Sequence, residues 1–312
     1  MTKISVALCT YNGEKYIREQ IDSILEQSLK VDEIVVCDDG STDQTLNILS
    51  EYENKFPDIF KIHINEKNLR SVKNFEKAIS LCNGEIIFLS DQDDVWENDK
   101  VKIFSDFFED NQNVDVVCSN GFIIDENSLQ QNLYTVWDVP RFLSENKKEI
   151  NYFKIFATIG NFATGASMGI RKSFVNKILP FPTVEGLHHD EWIALVSSEQ
   201  KKFAFLNEKL FSYRIHSEQQ VGGICYSKDE VSKEKLISRF DYDKAPKTFR
   251  DFKIKLRTLN DKERKFTAYL EKDSNENAKR FLKEVQNEKL ALYQKLKSEH
   301  FALFLFFKYF YR

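Results

Sequence analysis

The sequence predicts an α/β fold: a mostly parallel central sheet with flanking helices, followed by a C-terminal helical region. Three observations lead there. Short apolar runs alternate with segments whose apolar residues recur at helical spacing, the pattern of strand–helix–strand units with right-handed crossovers. Successive runs end in polar or acidic turns, at residues 10–14, 38–43 and 91–94. Charge also divides the chain: residues 1–226 hold 23 Lys and Arg against 35 Asp and Glu, a net of −12, whereas residues 227–312 hold 22 against 14, a net of +8. Two regions so differently charged are expected to do different work.

Residues 3–9 form the first apolar strand, closed by Thr10-Tyr11-Asn12-Gly13-Glu14. Tyr16, Ile17, Ile21, Ile24 and Leu25 then mark a helix. A second strand at 33–37 stops at Asp38-Asp39-Gly40-Ser41-Thr42-Asp43, and Leu46, Ile48, Leu49 and Tyr52 mark the helix after it. A third strand is expected at 60–64 and a helix at 74–82. The run Ile86-Ile87-Phe88-Leu89 has no polar break, as expected of a strand buried on both faces, and it ends in Ser90-Asp91-Gln92-Asp93-Asp94-Val95-Trp96. Residues 100–108 continue as a helix, 114–118 as a strand, and 121–124 begin another. Residues 125–150 are polar and irregular and read as a mobile segment at a site rim. Small residues at 161–170 suit close backbone approach. Residues 203–206 and 210–214 read as a hairpin, with His216 at its exit, and basic helices are expected within 236–296.

Three carboxylates within four positions repel one another. Either a hard divalent cation, Mg²⁺ or Mn²⁺, neutralises them and holds a diphosphate, or the turn simply caps the helix that follows. In open α/β sheets ligands bind outside the carboxyl ends of the strands, so the recurrence of polar turns on three strands favours a site. No GxGxxG follows the first strand and no GxxxxGK[ST] occurs, which excludes the usual dinucleotide and P-loop signatures. Cys9, Cys37, Cys82, Cys118 and Cys225 are widely spaced with no CxxC, and read as reduced thiols of a cytosolic protein. Residues 1–4 leave no room for a signal peptide, and no apolar stretch approaches the roughly 18 residues of a membrane span. The chain ends in Phe301-Ala302-Leu303-Phe304-Leu305-Phe306-Phe307-Lys308-Tyr309-Phe310-Tyr311-Arg312. That segment suits a bilayer surface, or else packing against the catalytic domain or a second subunit.

Six pieces in order resemble a GT-A family 2 glycosyltransferase: Val-Ala-Leu-Cys-Thr-Tyr-Asn-Gly, Asp-Asp-Gly-Ser-Thr-Asp, Gly-Glu-Ile-Ile-Phe-Leu-Ser-Asp-Gln-Asp-Asp-Val-Trp, Thr-Gly-Ala-Ser-Met, His-Asp-Glu-Trp and Tyr-Arg-Ile-His. The wording Asp-Gln-Asp-Asp-Val-Trp, and Tyr-Arg-Ile-His followed by Val221-Gly222-Gly223, resembles the rhamnosyltransferase-like branch, whose donors are usually dTDP-linked. The resemblance implies that Asp39 accepts the imide N–H of uracil or thymine and that Thr10, Tyr11 and Glu14 line the nucleoside pocket. It implies that Asp91 and Asp93 are the two acids of a DxD motif, that His216 ligates the metal beside them, and that Arg214 contacts the diphosphate. Asp190 matches the catalytic base, with Glu191 as the runner-up. Trp96 and Trp192 are candidates for stacking on sugar faces.

The expectation is therefore a GT-A catalytic domain at 1–226, with a nucleotide-sugar half to about 118 and an acceptor half at 119–226, and a basic helical region at 227–312. Its activity would be a metal-dependent, inverting sugar transfer, with Mn²⁺ or Mg²⁺, from dTDP-rhamnose or a UDP-sugar to a glycan or lipid-linked saccharide of the bacterial envelope. The location would be cytoplasmic, with peripheral contact at the inner face of the membrane. Two rivals remain: a catalytically inactive nucleotide-sugar or glycan-binding module, and a sugar nucleotidyltransferase, which would want a Gly-rich basic loop after the first strand. Nucleic acid is not an expected partner.

Overall fold

The structure, a computed structural model, describes residues 2–216 and 225–310. The Val221-Gly222-Gly223 stretch and the last two residues lie outside the described residues. Four strands, β1 (Ile4–Thr10), β2 (Glu33–Asp38), β3 (Phe60–Ile64) and β4 (Ile86–Ser90), alternate with helices α1 (Ile17–Leu25), α2 (Thr45–Lys55) and α3 (Arg70–Leu81). They pair in parallel in the order β3-β2-β1-β4. Every residue of β1, β2 and β4 is buried, as the unbroken apolar runs require when helices cover both faces. Ile17, Ile21 and Ile24 of α1, and Phe75, Ala78 and Ile79 of α3, supply that cover.

Beyond β4 the sheet becomes mixed. Short β5 (Val95–Trp96) and α4 (Lys100–Asp110) lead to β6 (Val116–Ile124), β7 (Gln130–Gln131), β8 (Leu133–Thr135), α5 (Val139–Glu145) and α6 (Tyr152–Thr158). Then come β9 (Met168–Arg171), α7 (Val175–Ile178), α8 (His189–Glu199) and β10 (Phe203–Arg214). Strand β9 runs antiparallel between β4 and β6, and β10 lies parallel to β6 with β5 on its far edge. Strand β11 (Cys225–Ser227) pairs with β8. Four helices follow: α9 (Glu230–Phe240), α10 (Phe249–Leu270), α11 (Glu276–Glu299) and α12 (Phe301–Phe310).

Three expectations are corrected here. The stretch read as a hairpin is one strand, β10: the polar Asn207-Glu208-Lys209 insertion is absorbed as register shifts against β6 rather than a reversal. The two strands expected around residue 118 are likewise one, β6. Residues 125–150 form no mobile rim throughout, because Thr135 and Asp138 build a reciprocal cap around a turn that drives Trp137, Val139, Phe142 and Leu143 into the core. The C-terminal helices join the same core. Helices α10 and α11 pack on each other and on α6, and Phe266 and Phe281 belong to the same apolar cluster as Trp192.

At the edge of the sheet opposite the acidic turns, buried Glu33 ties three segments together. Its carboxylate accepts from Ser5 Oγ of β1, Lys61 Nζ of β3 and the backbone N–H of Asn83 before β4. Burial alone would raise its pKa, but these hydrogen bonds outweigh burial and hold it at about 2. A depressed folded-state value stabilises the fold above the unfolded carboxyl's pKa, and that contribution is lost as pH falls toward 2. Glu33→Gln should therefore cost on the order of 2 kcal/mol at neutral pH and flatten the loss of stability between about pH 4.5 and pH 2. Urea titrations of both proteins across that range measure the difference.

Candidate active site

Parallel register brings the strand ends together. Thr10 stands opposite Asp38, and Leu8 opposite Ser90, so the turns after β1, β2 and β4 open on one edge. After β2, Asp38 is consumed by the turn: its carboxylate accepts from Thr10 Oγ1 (2.7 Å), Ser41 Oγ (2.6 Å) and the N–H groups of Gly40 and Ser41. Gly40 has φ +83°, which only glycine adopts without strain. The turn aims Asp39 toward α3, where Oδ1 accepts from Leu69 N–H (2.7 Å) and Asn65 Nδ2 (2.8 Å), and Oδ2 from Arg70 N–H (2.8 Å). Asp39 is thus a held acceptor with one lone pair remaining on Oδ2 by the usual count.

At the rim, Tyr11 has its backbone clamped by Gln92, which accepts from Tyr11 N–H (2.7 Å) and donates to its carbonyl (3.0 Å), leaving the ring exposed. The Glu14 carboxylate accepts from Gln44 N–H at the start of α2 (2.7 Å), so in this structure it serves as a helix cap.

After β4, four carboxylates crowd one region. Burial pushes Asp91 up to about 7, with the charges of Asp93 and Asp190 adding to it and Lys100 opposing. Asp94 is pushed well above the usual carboxylate range by burial and by Asp93 and Asp91. Its Oδ1 accepts from Arg214 N–H, and its Oδ2 has no partner among the described residues. Asp93 Oδ2 lies 2.9 Å from His216 Nε2. Asp190, in the first turn of α8, is pushed up to about 6. Burial is the main cause and Glu191 adds to it, while His188 and the N–H groups of Glu191 and Gly165 oppose. A Cβ on Gly165 would stand 2.8 Å from His189 Nε2, so glycine is required for this approach.

The positive charge that offsets this cluster includes two residues of the chain itself. Lys100, fully buried, donates to the Ala166 carbonyl (2.6 Å) with its Nζ 4.1 Å from the Trp96 ring centroid. Burial lowers its pKa to about 7 against the pull of Asp94, Cys118 and Asp91. Arg214 donates Nε–H to the Asp93 carbonyl (2.8 Å), Nη1–H to Asp125 O (3.1 Å) and Ser128 Oγ (2.9 Å), and Nη2–H to Glu19 Oε2 (2.6 Å). Its guanidinium also covers the Tyr16 ring. Arg214 is therefore a clamp across α1, β10 and the 125–128 turn, not the open fork expected for a diphosphate.

Two more expectations change. Glu191 is turned into an ion pair with Lys262 of α10, so it is not placed as an alternative base. Trp96 and Trp192 are core residues, 3% and 1% exposed, and Trp192 Nε1 donates to the Ile178 carbonyl. Neither offers a face to a sugar. Sequence reading missed Lys100, whose one available signal was position: a lysine opening a helix opposes the helix dipole and needs another reason to be there. It missed Lys262 and Gln92 as well, and no pattern marked them.

The donor set at Asp93 and His216 fits a divalent ion. Among the described residues no three His, Cys, Asp or Glu side chains converge to hold one unaided. Asp93 Oδ2 and His216 Nε2, in direct contact at 2.9 Å, are the carboxylate and imidazole that would hold it, together with a bound diphosphate. An imidazole with a carboxylate favours Mn²⁺ over Mg²⁺.

Comparison with known proteins gives the family and the fold. The family model described as Glycosyl transferase family 2 matches residues 5–179. An uncharacterized glycosyltransferase, alr2836 of Nostoc sp., is 29% identical over 224 residues, 69% of this chain and 65% of that protein, so the chain spans just under two thirds of that relative. The dTDP-rhamnosyl transferase RfbG of Shigella flexneri is 42% identical over 99 residues, 30% of this chain and 34% of that one. Among solved structures, the mannosyltransferase PcManGT of Pyrobaculum calidifontis, in complex with GDP-Man and Mn²⁺, aligns with a TM-score of 0.54 at 15% identity over 97% of this chain and 85% of that one. The family model covers more than half of the chain, from β1 through α7, and the same strands carry the carboxylate edge: this chain is a glycosyltransferase of family 2 with the GT-A fold.

Proposed function

We propose that the chain is a metal-dependent, inverting glycosyltransferase that moves a hexose, rhamnose from dTDP-rhamnose, to a saccharide or lipid-linked saccharide of a bacterial envelope. The observation that carries this reading is the gathering of Asp91, Asp93 and Asp190 on the sheet edge that also holds Asp39. Asp91 feels both Asp93 and Asp190, and buried Cys9 feels both Asp91 and Asp39.

Each residue then has a chemical task. Asp39, an acceptor fixed by two backbone N–H groups, reads the imide N–H of thymine or uracil and rejects cytosine, whose matching ring nitrogen has no proton. Thr10 and the exposed Tyr11 ring border the nucleoside. Asp93 and His216 would hold the cation, with Asp91 toward its waters or the ribose; the ion, when bound, supplies Lewis-acid stabilisation of the departing diphosphate. Asp190 takes the proton of the acceptor hydroxyl on the face opposite the leaving group. A carboxylate with its pKa near 6 is a stronger base than an ordinary aspartate and still ionised at neutral pH. The 42% identity to a dTDP-rhamnosyl transferase over 99 residues supports the thymidine donor.

No helix among the described residues is long and apolar enough to cross a membrane. Helix α12 supports surface contact instead. Phe307 is buried beside Phe249, while Phe301, Leu305, Phe306 and Tyr309 stay exposed next to Lys308. Exposed Lys247 and Arg250 flank Phe249 and suit an anionic leaflet.

Asp93→Asn should abolish Mn²⁺-dependent binding of dTDP in a calorimetric titration; unchanged binding would remove Asp93 from the metal site. Asp190→Asn should bind dTDP like the parent yet lose at least 1,000-fold in transfer, the order of a positioned base. In the parent, kcat should fall about tenfold per pH unit below pH 6 and level off above it, because the base works ionised; a flat profile from pH 4.5 to 8 contradicts the assignment. Phe301→Ser with Leu305→Ser should reduce co-sedimentation with phosphatidylglycerol vesicles several-fold, and equal pelleting would reject α12 as the contact.

A further inference from the structure

We propose that Lys262, in the C-terminal helix α10, is a positioning residue for transfer: it neutralises and anchors Glu191 so that the neighbouring Asp190 is presented to the acceptor. The inference rests on the assignment of Asp190 as the base and extends the active site into a region beyond the family match at residues 5–179.

The geometry is that of a built contact rather than a surface pair. Lys262 is 5% exposed and Glu191 7% exposed. The Lys262 ammonium donates to Glu191 Oε1 and to the carbonyl of Phe156 (2.8 Å) at the heart of α6. One lysine therefore joins three helices, α6, α8 and α10, at the residue next to the proposed base. Two further contacts lock α10 to the same segment: Tyr269 meets Trp192 edge-on at 5.4 Å between centroids, and Lys265 lies against Gly186 in the loop leading into α8. A Cβ on Gly186, whose φ is +75°, would come within 3.1 Å of Lys265 Cε.

Electrostatics gives the contact its consequence. Glu191 is one residue from Asp190, and an unpaired buried charge there would both repel Asp190 and draw α8 out of place toward water. With Lys262 in position the Glu191–Lys262 pair is neutral overall, and Asp190 meets His188 and the N–H groups of Glu191 and Gly165, which favour its charge, and the carboxylates of Glu191 and Asp91, which oppose it. Breaking the pair by removing one partner should therefore be worse than replacing both by neutral groups, the usual behaviour of buried ion pairs.

The test compares the parent chain with Lys262→Met, Lys262→Arg, Glu191→Gln, the double variant Lys262→Met with Glu191→Gln, and Asp190→Asn. It measures kcat, donor KM, Mn²⁺-dependent dTDP affinity and Tm. Lys262→Met should lower kcat at least tenfold while dTDP affinity stays within twofold, and both Lys262→Arg and the double variant should recover most of the rate. Should Lys262→Met fail to fold, recovery of kcat relative to the single Glu191→Gln variant in the double variant decides the matter. Parental kcat in Lys262→Met, or a double variant no faster than its parents while still binding dTDP, would overturn the proposal. An active Asp190→Asn would instead overturn the base assignment beneath it, so the two failures are distinguishable.

Discussion

Mutual repulsion among Asp91, Asp93, Asp94 and Asp190 is the constraint around which the rest of this molecule is arranged. Four acids in one partly desolvated region are tolerable only if the surroundings return positive potential. Part of it comes from Arg214, which braces the backbone at Asp93, and part from Lys100, buried beneath the cluster, whose own pKa burial lowers to about 7. The remainder is left to be supplied on binding. With Asp91 raised to about 7 and Asp94 pushed well above the usual carboxylate range, the cluster remains short of positive charge.

The strands that deliver these acids were readable because local and global signals agreed. The unbroken runs at β1, β2 and β4 could be buried strands, and the acidic turns at their ends fell on one edge as parallel topology requires. Asp93 and His216, paired in the sequence only through the family resemblance, stand 2.9 Å apart across 123 residues. Sequence reading failed at Arg214 and Glu191, whose partners come from distant segments. Arg214 looks like a phosphate ligand in one dimension, and only the fold brings Glu19, Asp125 and Ser128 to its donors. Glu191 looks equivalent to Asp190 until Lys262, 71 residues later, claims it. The misread hairpin has a similar origin: Asn207-Glu208-Lys209 has turn chemistry, but pairing with β6 on both sides overrides local propensity.

The C-terminal helices look different in this light. Their basic composition set them apart from the acidic catalytic region, yet α10 and α11 share its apolar core and reach α8 from behind. A region outside the family match thus packs against the helix that carries Asp190, through Lys262 on Glu191 and Tyr269 on Trp192. Helix α12 leaves Phe301 and Tyr309 exposed.

The proposed function turns on one ion that Asp93 and His216 would hold together with a diphosphate. Crystals grown with Mn²⁺ and dTDP, measured on both sides of the manganese absorption edge, test it directly. The account predicts one anomalous peak within bonding distance of Asp93 Oδ2, His216 Nε2 and the β-phosphate, with the base against Asp39. A nucleotide bound in full occupancy with no peak between those two side chains, or a peak elsewhere, would contradict it.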